Sequence, residues 1–199
     1  MDDLDLVPTS VFLPGGSIAL LQPRDGADLP DRGDEWAPLV PYWSVLWRSG
    51  LALAREVSGA ALAGRRVVEL GCGLGLPSLV AARAGASVLA TDESEEAVEL
   101  LERNARANGV ALETAAFGWA DAGELVARGP FDLVLAADVL YEPESFGPLL
   151  DLLPRLGREF WIADPGRSPA EAFLAQAKRH WSLATQVGDG VSIHRLRVR

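Results

Sequence analysis

The 199-residue chain carries 18 basic and 28 acidic side chains, a formal net charge of −10, and 49% of its residues are hydrophobic. That is an ordinary globular mixture with enough apolar residues for one sizeable domain. No run nears the ~18 to 20 apolar residues of a membrane span, the start Met1-Asp2-Asp3-Leu4-Asp5 is acidic where a signal peptide is basic, and the lone Cys72 allows neither an internal disulfide nor a zinc cluster, so a cytoplasmic protein without a metal site is expected.

The charge is unevenly spread. Residues 1–35 hold eight acids against Arg24 and Arg32, whereas residues 178–199 hold five basic residues against Asp189. A negative surface repels phosphate backbones and steers basic partners, so a nucleic-acid partner is not expected. The plainer account of the leading acids is solvation.

In chain order, Val11-Phe12-Leu13 and residues 17–21 flank Pro14-Gly15-Gly16 and predict a short hairpin laid against the main body; the Pro-, Asp- and Gly-rich stretch from Pro23 to Pro41 reads mostly as loop. From residue 44 onward helical patterns alternate with short apolar runs. Helices are expected at 49–62, 76–84, 94–107, 121–128, 144–156 and 169–179. Strands are expected at 66–70, 87–91, 111–116, 131–137 and 159–163, which makes a parallel sheet covered on both faces. The runs 181–187 and 191–198 are joined only by Gly188-Asp189-Gly190, too short for a parallel crossover, so the final strand must enter reversed. Apolar alternation slips between Ile193 and Leu196, which calls for a bulge or for burial on both faces. The fold class is α/β: a Rossmann-like sheet of six or seven mostly parallel strands, the last reversed.

Four features carry chemistry. Glu69-Leu70-Gly71-Cys72-Gly73-Leu74-Gly75 takes a strand into a glycine turn and a helix, the place where α/β sheets bind ligands; its G-x-G-x-G spacing differs from a dinucleotide fingerprint. Asp92 ends the next strand, 21 residues after Gly71, where a carboxylate accepts both hydroxyls of a ribose; alternatively it caps the helix that follows. Ala137-Asp138-Val139-Leu140-Tyr141 leaves the fourth strand at the same sheet edge, with no histidine nearby to support a Ser-His-Asp or metal mechanism. Finally, six of fourteen aromatic residues are tryptophan, concentrated in Tyr42-Trp43-Ser44-Val45-Leu46-Trp47 and near Trp119; such rings attract cations and stack on flat bases, or simply pack a core.

These residues resemble the class I, seven-β-strand S-adenosyl-L-methionine-dependent methyltransferases, and more narrowly their protein lysine methyltransferase branch. Residues 69–75 resemble the superfamily's first motif, Asp92 its ribose-binding acid, and Asp138 to Tyr141 the D-x-x-Y motif of the branch. The Tyr42 to Trp47 segment and Asp164-Pro165-Gly166-Arg167 are similar to members acting on the β subunit of electron-transfer flavoprotein, while Ala-Ala-Asp-Val-Leu-Tyr-Glu is closer to chaperone-directed relatives. The resemblance covers residues 41–199, leaving residues 1–40 as an acidic N-terminal extension.

The resemblance implies that S-adenosyl-L-methionine is the cofactor. Gly71, Cys72, Gly73 and Gly75 form the turn around its methionine part, Asp92 holds the ribose, Trp119 flanks the adenine, and Trp47 and Ala137 close the pocket. Glu69 either receives the ammonium or fixes the turn. Asp138 and Tyr141 are the implied catalytic pair, Asp138 anchoring or deprotonating the acceptor, and Trp43 shapes the substrate channel. The expected acceptor is a protein with an accessible lysine, or else a small nicotinamide-like amine, and the enzyme is expected to be a monomer. A non-catalytic binding module and a dinucleotide oxidoreductase are the remaining alternatives.

Overall fold

The computed structural model describes residues 5–27, 40–119 and 122–199. Two leading strands, β1 (Leu6–Leu13) and β2 (Gly16–Pro23), form an antiparallel hairpin, followed by the short helix α1 (Arg24–Ala27). The hairpin is longer than its apolar runs suggested, and its turn is tighter: Gly16 pairs with Leu13, leaving only Pro14-Gly15 between the strands. Of the eight leading acids, Asp5 and Asp25 lie among the described residues; the others fall outside them.

The main body runs α2 (Arg48–Ser58), β3 (Arg66–Leu70), α3 (Leu76–Arg83), β4 (Ser87–Asp92), α4 (Glu95–Ala107), β5 (Glu113–Ala116), α5 (Gly123–Ala127) and β6 (Leu133–Ala137). Then follow α6 (Phe146–Leu156), β7 (Glu159–Asp164), α7 (Ser168–Ala177), β8 (Trp181–Gly188) and β9 (Val191–Val198). Helix α2 stops at Ser58, capped by Gly59 and short of residue 62. Phe131 makes only an isolated bridge to Gly157, so its apolar run starts two residues before β6. Helix α4 begins after Ser94, whose side chain accepts the Ala97 N–H at 3.2 Å; the cap is therefore Ser94 and not Asp92.

Seven strands pair in the order β5-β4-β3-β6-β7-β9-β8. Only β9 is reversed, antiparallel to both β7 and β8, and it slots between them. Its register is continuous, so no bulge is present; Ile193 packs into the core on one face while Leu196 packs into the core on the other. The same division explains the unbroken apolar runs. Val67, Leu133 and Leu135 enter the core beneath α2 and α3, and Val68, Val134 and Ala136 enter the one beneath α6 and α7. A strand buried on both faces has no polar side to show in sequence.

The hairpin joins the first core through Val11, Leu13, Ile18 and Leu20. Asn104 of α4 and Asn108, which caps the C-terminal end of that helix, hold it as an adjacent strand would. Asn104 accepts from Leu21 N at 2.7 Å and donates to Leu21 O at 3.1 Å, and Asn108 does the same for Ala19 at 2.9 and 2.6 Å. Their spacing of four residues puts both on one helical face.

The order reverses between β3 and β6: strands β3 to β5 progress one way and β6 to β7 the other. A crevice opens at such a switch, beyond the carboxyl ends of the strands. Among the described residues, no helix is long and apolar enough to cross a membrane.

Candidate active site

The crevice is a cleft of about 750 Å³ at the ends of β3, β4, β6 and β7. Trp43, Trp47, Glu69, Gly71, Cys72, Gly73, Gly75, Asp92, Trp119, Ala137, Asp138 and Tyr141 all line it. Residues drawn from five separate stretches of chain therefore meet in one place.

One wall is the glycine turn. Gly75 sits at φ 70° as the residue before α3, and a Cβ there would lie 2.3 to 2.9 Å from the Leu101 side chain of α4. The close helix packing that a dinucleotide fingerprint assigns one residue later is supplied here by Gly75. Gly73 faces the Trp43 backbone, which a Cβ would approach to 3.1 Å. Beneath the turn, the buried Glu69 accepts two hydrogen bonds from Ser78, one from its backbone N–H at 2.9 Å and a shorter one from its hydroxyl. Of the two readings for Glu69, fixing the turn to α3 is what these bonds accomplish. Burial pushes its carboxyl up to about 8, against the opposing effect of the Ser78 bonds. Burial likewise raises the Cys72 thiol, so Cys72 is no thiolate nucleophile.

Asp92 joins the second strand end to the same turn. Its Oδ2 accepts from Gly73 N at 2.8 Å and its Oδ1 from Ser94 N at 3.0 Å. Each oxygen keeps a lone pair. Burial raises its pKa, while the backbone donors of Ser94, Gly73 and Glu93 act against it.

Across the cleft, Asp138 leaves β6 in the left-handed region at φ 59°, unusual for a residue other than glycine, and is 9% exposed. Its Oδ1 accepts a short hydrogen bond from Arg167. Asp138 is therefore paired with an arginine that lies 29 residues further along the chain. Burial raises its pKa and Arg167 lowers it, with the Ser49 hydroxyl favouring the charged form from outside hydrogen-bond geometry. Tyr141 is 36% exposed, its ring 5.3 Å from that of Tyr42, and Tyr42 in turn lies 6.4 Å from Trp47, whose indole N–H donates to Tyr42 O at 2.9 Å. These three rings make an aromatic rim. Burial first, then Glu142 and Glu93, push the Tyr141 phenol up to about 12.

Residues 43–160 match the family model described as lysine methyltransferase, which is more than half of the chain. The chain belongs to the lysine methyltransferase family. Among curated relatives, this family member is 37% identical to protein N-lysine methyltransferase METTL21A of Danio rerio, over 57% of this chain and 55% of that protein. It is 35% identical to the electron transfer flavoprotein beta subunit lysine methyltransferase of Xenopus laevis, over 67% and 56% respectively. It is also 31% identical to histone-arginine methyltransferase METTL23 of Xenopus laevis, over 71% and 65%. The aligned part thus spans between half and two thirds of each relative. The fold is that of the Thermus thermophilus 16S rRNA N2 G1207 methyltransferase RsmC, solved with AdoMet and guanosine, at TM-score 0.73 and 18% identity over 99% of this chain and 51% of that one.

Arg167, Ser49 and Tyr42 are site residues to which sequence reasoning gave no role. A signal existed for Arg167: a charged residue three positions beyond an apolar strand, at the edge where Asp92 and Asp138 emerge.

Proposed function

We propose that this family member is an S-adenosyl-L-methionine-dependent N-methyltransferase whose acceptor is a lysine side chain of a protein. The observation that carries the reading is one cleft with the Asp92-bound glycine turn on one side and Asp138 with the aromatic rim on the other. The residues fit the cofactor: Asp92, at the edge of the glycine turn, offers two oxygens to vicinal hydroxyls. When bound, the cofactor supplies an electrophilic methyl group on its sulfonium. Asp92 would hold the ribose, the backbone from Gly71 to Gly75 with Cys72 would bracket the methionine part, and Trp119 would flank the adenine with Trp47 and Ala137 closing the pocket.

The remaining work belongs to the acceptor. Its nitrogen must present a lone pair in line with the methyl group, and alignment of this kind contributes about 7 to 11 kcal/mol in favourable cases. A lysine must first lose a proton, which the desolvating rim of Tyr42, Tyr141 and Trp47, with Trp43 shaping the channel, favours by disfavouring its charged form. Asp138 takes the anchoring role, because its pairing with Arg167 offsets the charge that would otherwise hold an ammonium protonated. Glu93, Glu142 and Glu144 also line the cleft, and this acidic mouth suits a lysine-bearing segment and repels nucleic acid. A cytoplasmic monomer with residues 1–40 as an extension is part of the same reading.

The test is incubation with methyl-labelled cofactor and cell lysate, followed by hydrolysis of the labelled proteins. Methyl-lysine is the expected product. Methyl-arginine would favour the acceptor class named for the histone-arginine relative, label confined to small molecules would favour a nicotinamide-like amine, and binding of a nicotinamide dinucleotide in place of the cofactor would overturn the reading.

A further inference from the structure

We propose that Arg167 is the positioning residue of the acceptor site: it occupies one oxygen of Asp138 and leaves the other to a single N–H donor, which fits a primary amine and not a guanidinium. The inference deepens the N-methyltransferase reading and rests on it for the identity of the acceptor.

The arrangement is built from three elements. Asp164, fully buried at the end of β7, accepts from Gly166 N at 2.7 Å and from Arg167 N at 2.9 Å, which folds the Asp-Pro-Gly-Arg turn back over the cleft. The Arg167 side chain then lies 3.8 Å from Asp164 Oδ2 and bonds Asp138 Oδ1. Asp138 N donates to Ala163 O at 3.0 Å, fixing its strained backbone to β7. The other oxygen, Oδ2, is buried with no hydrogen-bond partner among the described residues, in a side chain that lines the cleft. A buried carboxylate oxygen without a donor is an acceptor position waiting for one. A guanidinium prefers two carboxylate oxygens at once, whereas an amine is satisfied by one.

The groups acting on the Asp138 carboxylate are Arg167, which favours its charged form, Asp164, which opposes it, and the Ser49 hydroxyl of α2. Without Arg167, burial and Asp164 are left to drive Asp138 towards its neutral form. A carboxylate gains about 1 to 3 pH units of acidity from an adjacent arginine. NMR titration of the Asp138 carboxyl carbon, assigned with Asp138→Asn, should therefore show its midpoint move up by about one pH unit or more in Arg167→Met and back towards wild type in Arg167→Lys. The acid limb of kcat/KM for a lysine peptide should move in step while cofactor Kd stays within about twofold. An unchanged midpoint in Arg167→Met overturns the positioning role. A shifted midpoint with methyl transfer to arginine peptides as fast as to lysine peptides overturns the acceptor assignment. A shifted midpoint in Arg167→Met beside a wild-type protein that methylates no amine would leave the pairing intact and refute the N-methyltransferase reading instead.

Discussion

The carboxylate of Asp92 accepts the backbone N–H of Gly73 at 2.8 Å, so the glycine turn after β3 and the acid at the end of β4 form one unit. Asp92 therefore shapes the turn, and in the proposed function it would also offer oxygens to a ribose. Asp92→Ala should remove hydrogen bonds to a charged acceptor, each contributing about 1.5 to 3 kcal/mol, and weaken cofactor binding by roughly ten- to a hundredfold in calorimetry. Asp138→Ala, across the cleft, should reduce turnover far more than affinity. Equal losses in both measurements would place Asp138 in the cofactor pocket.

Glu69 gives a pH dependence with a definite sign. Its carboxyl titrates near 8 in the fold, well above the ordinary glutamate value of 4.5, because it is buried. Between those values the folded protein holds a proton that the unfolded chain releases, so stability falls as pH rises through that window. The contribution is fully present below about 4.5 and lost as pH passes 8. Glu69→Gln keeps an uncharged acceptor for Ser78 and should flatten the stability profile between pH 5 and pH 8, read from urea midpoints. A mutant profile as steep as wild type would mean that Glu69 is ionised in the fold.

The hairpin gives a prediction about stability. Asn104 is fully buried and satisfies both backbone groups of Leu21. Asn104→Ala leaves them unpaired against α4, at a cost of about 1 to 3 kcal/mol for each group that stays dry. For a domain of this size a loss of about 2 kcal/mol lowers Tm by roughly 4 to 8 °C. Asn108→Ala, at the less buried C-cap of the same helix, should cost less. Equal small losses would show that apolar contacts alone hold the hairpin.

What could be read from sequence was local or set by a short connection. The strand, turn and helix around Gly71 to Gly75 declare themselves within a dozen residues, and a link too short for a crossover forces β9 to reverse. The rest depends on distant pairs. Asn108 reads as a helix stop, yet its partner Ala19 is 89 residues away; Arg167 and Asp138 are 29 apart, on different strand ends. No periodicity encodes such a pairing. Capping of α4 by Asp92 stands as an alternative in the sequence for a smaller reason: Asp92 and Ser94 are both good capping types two residues apart, and the structure engages Asp92 with the glycine turn and leaves the cap to Ser94.

Tyr141 tests which of its attributes matters, the hydroxyl or the ring. Its phenol titrates near 12, so it stays protonated throughout the pH range in which a lysine acceptor reacts, and it cannot serve as the base that deprotonates that lysine. Its ring lies against Tyr42 and lines the cleft, where under the proposed function it would exclude water from the amine and present a face to its charge. Tyr141→Phe should accordingly keep most of the turnover with the same pH profile. Tyr141→Ala opens the rim, and the loss of a cation-facing ring at a partly exposed site, about 0.5 to 2 kcal/mol, corresponds to a roughly two- to thirtyfold rise in KM for the acceptor. If Tyr141→Phe instead loses turnover as severely as Tyr141→Ala, the hydroxyl makes a bond to the acceptor that the ring cannot replace.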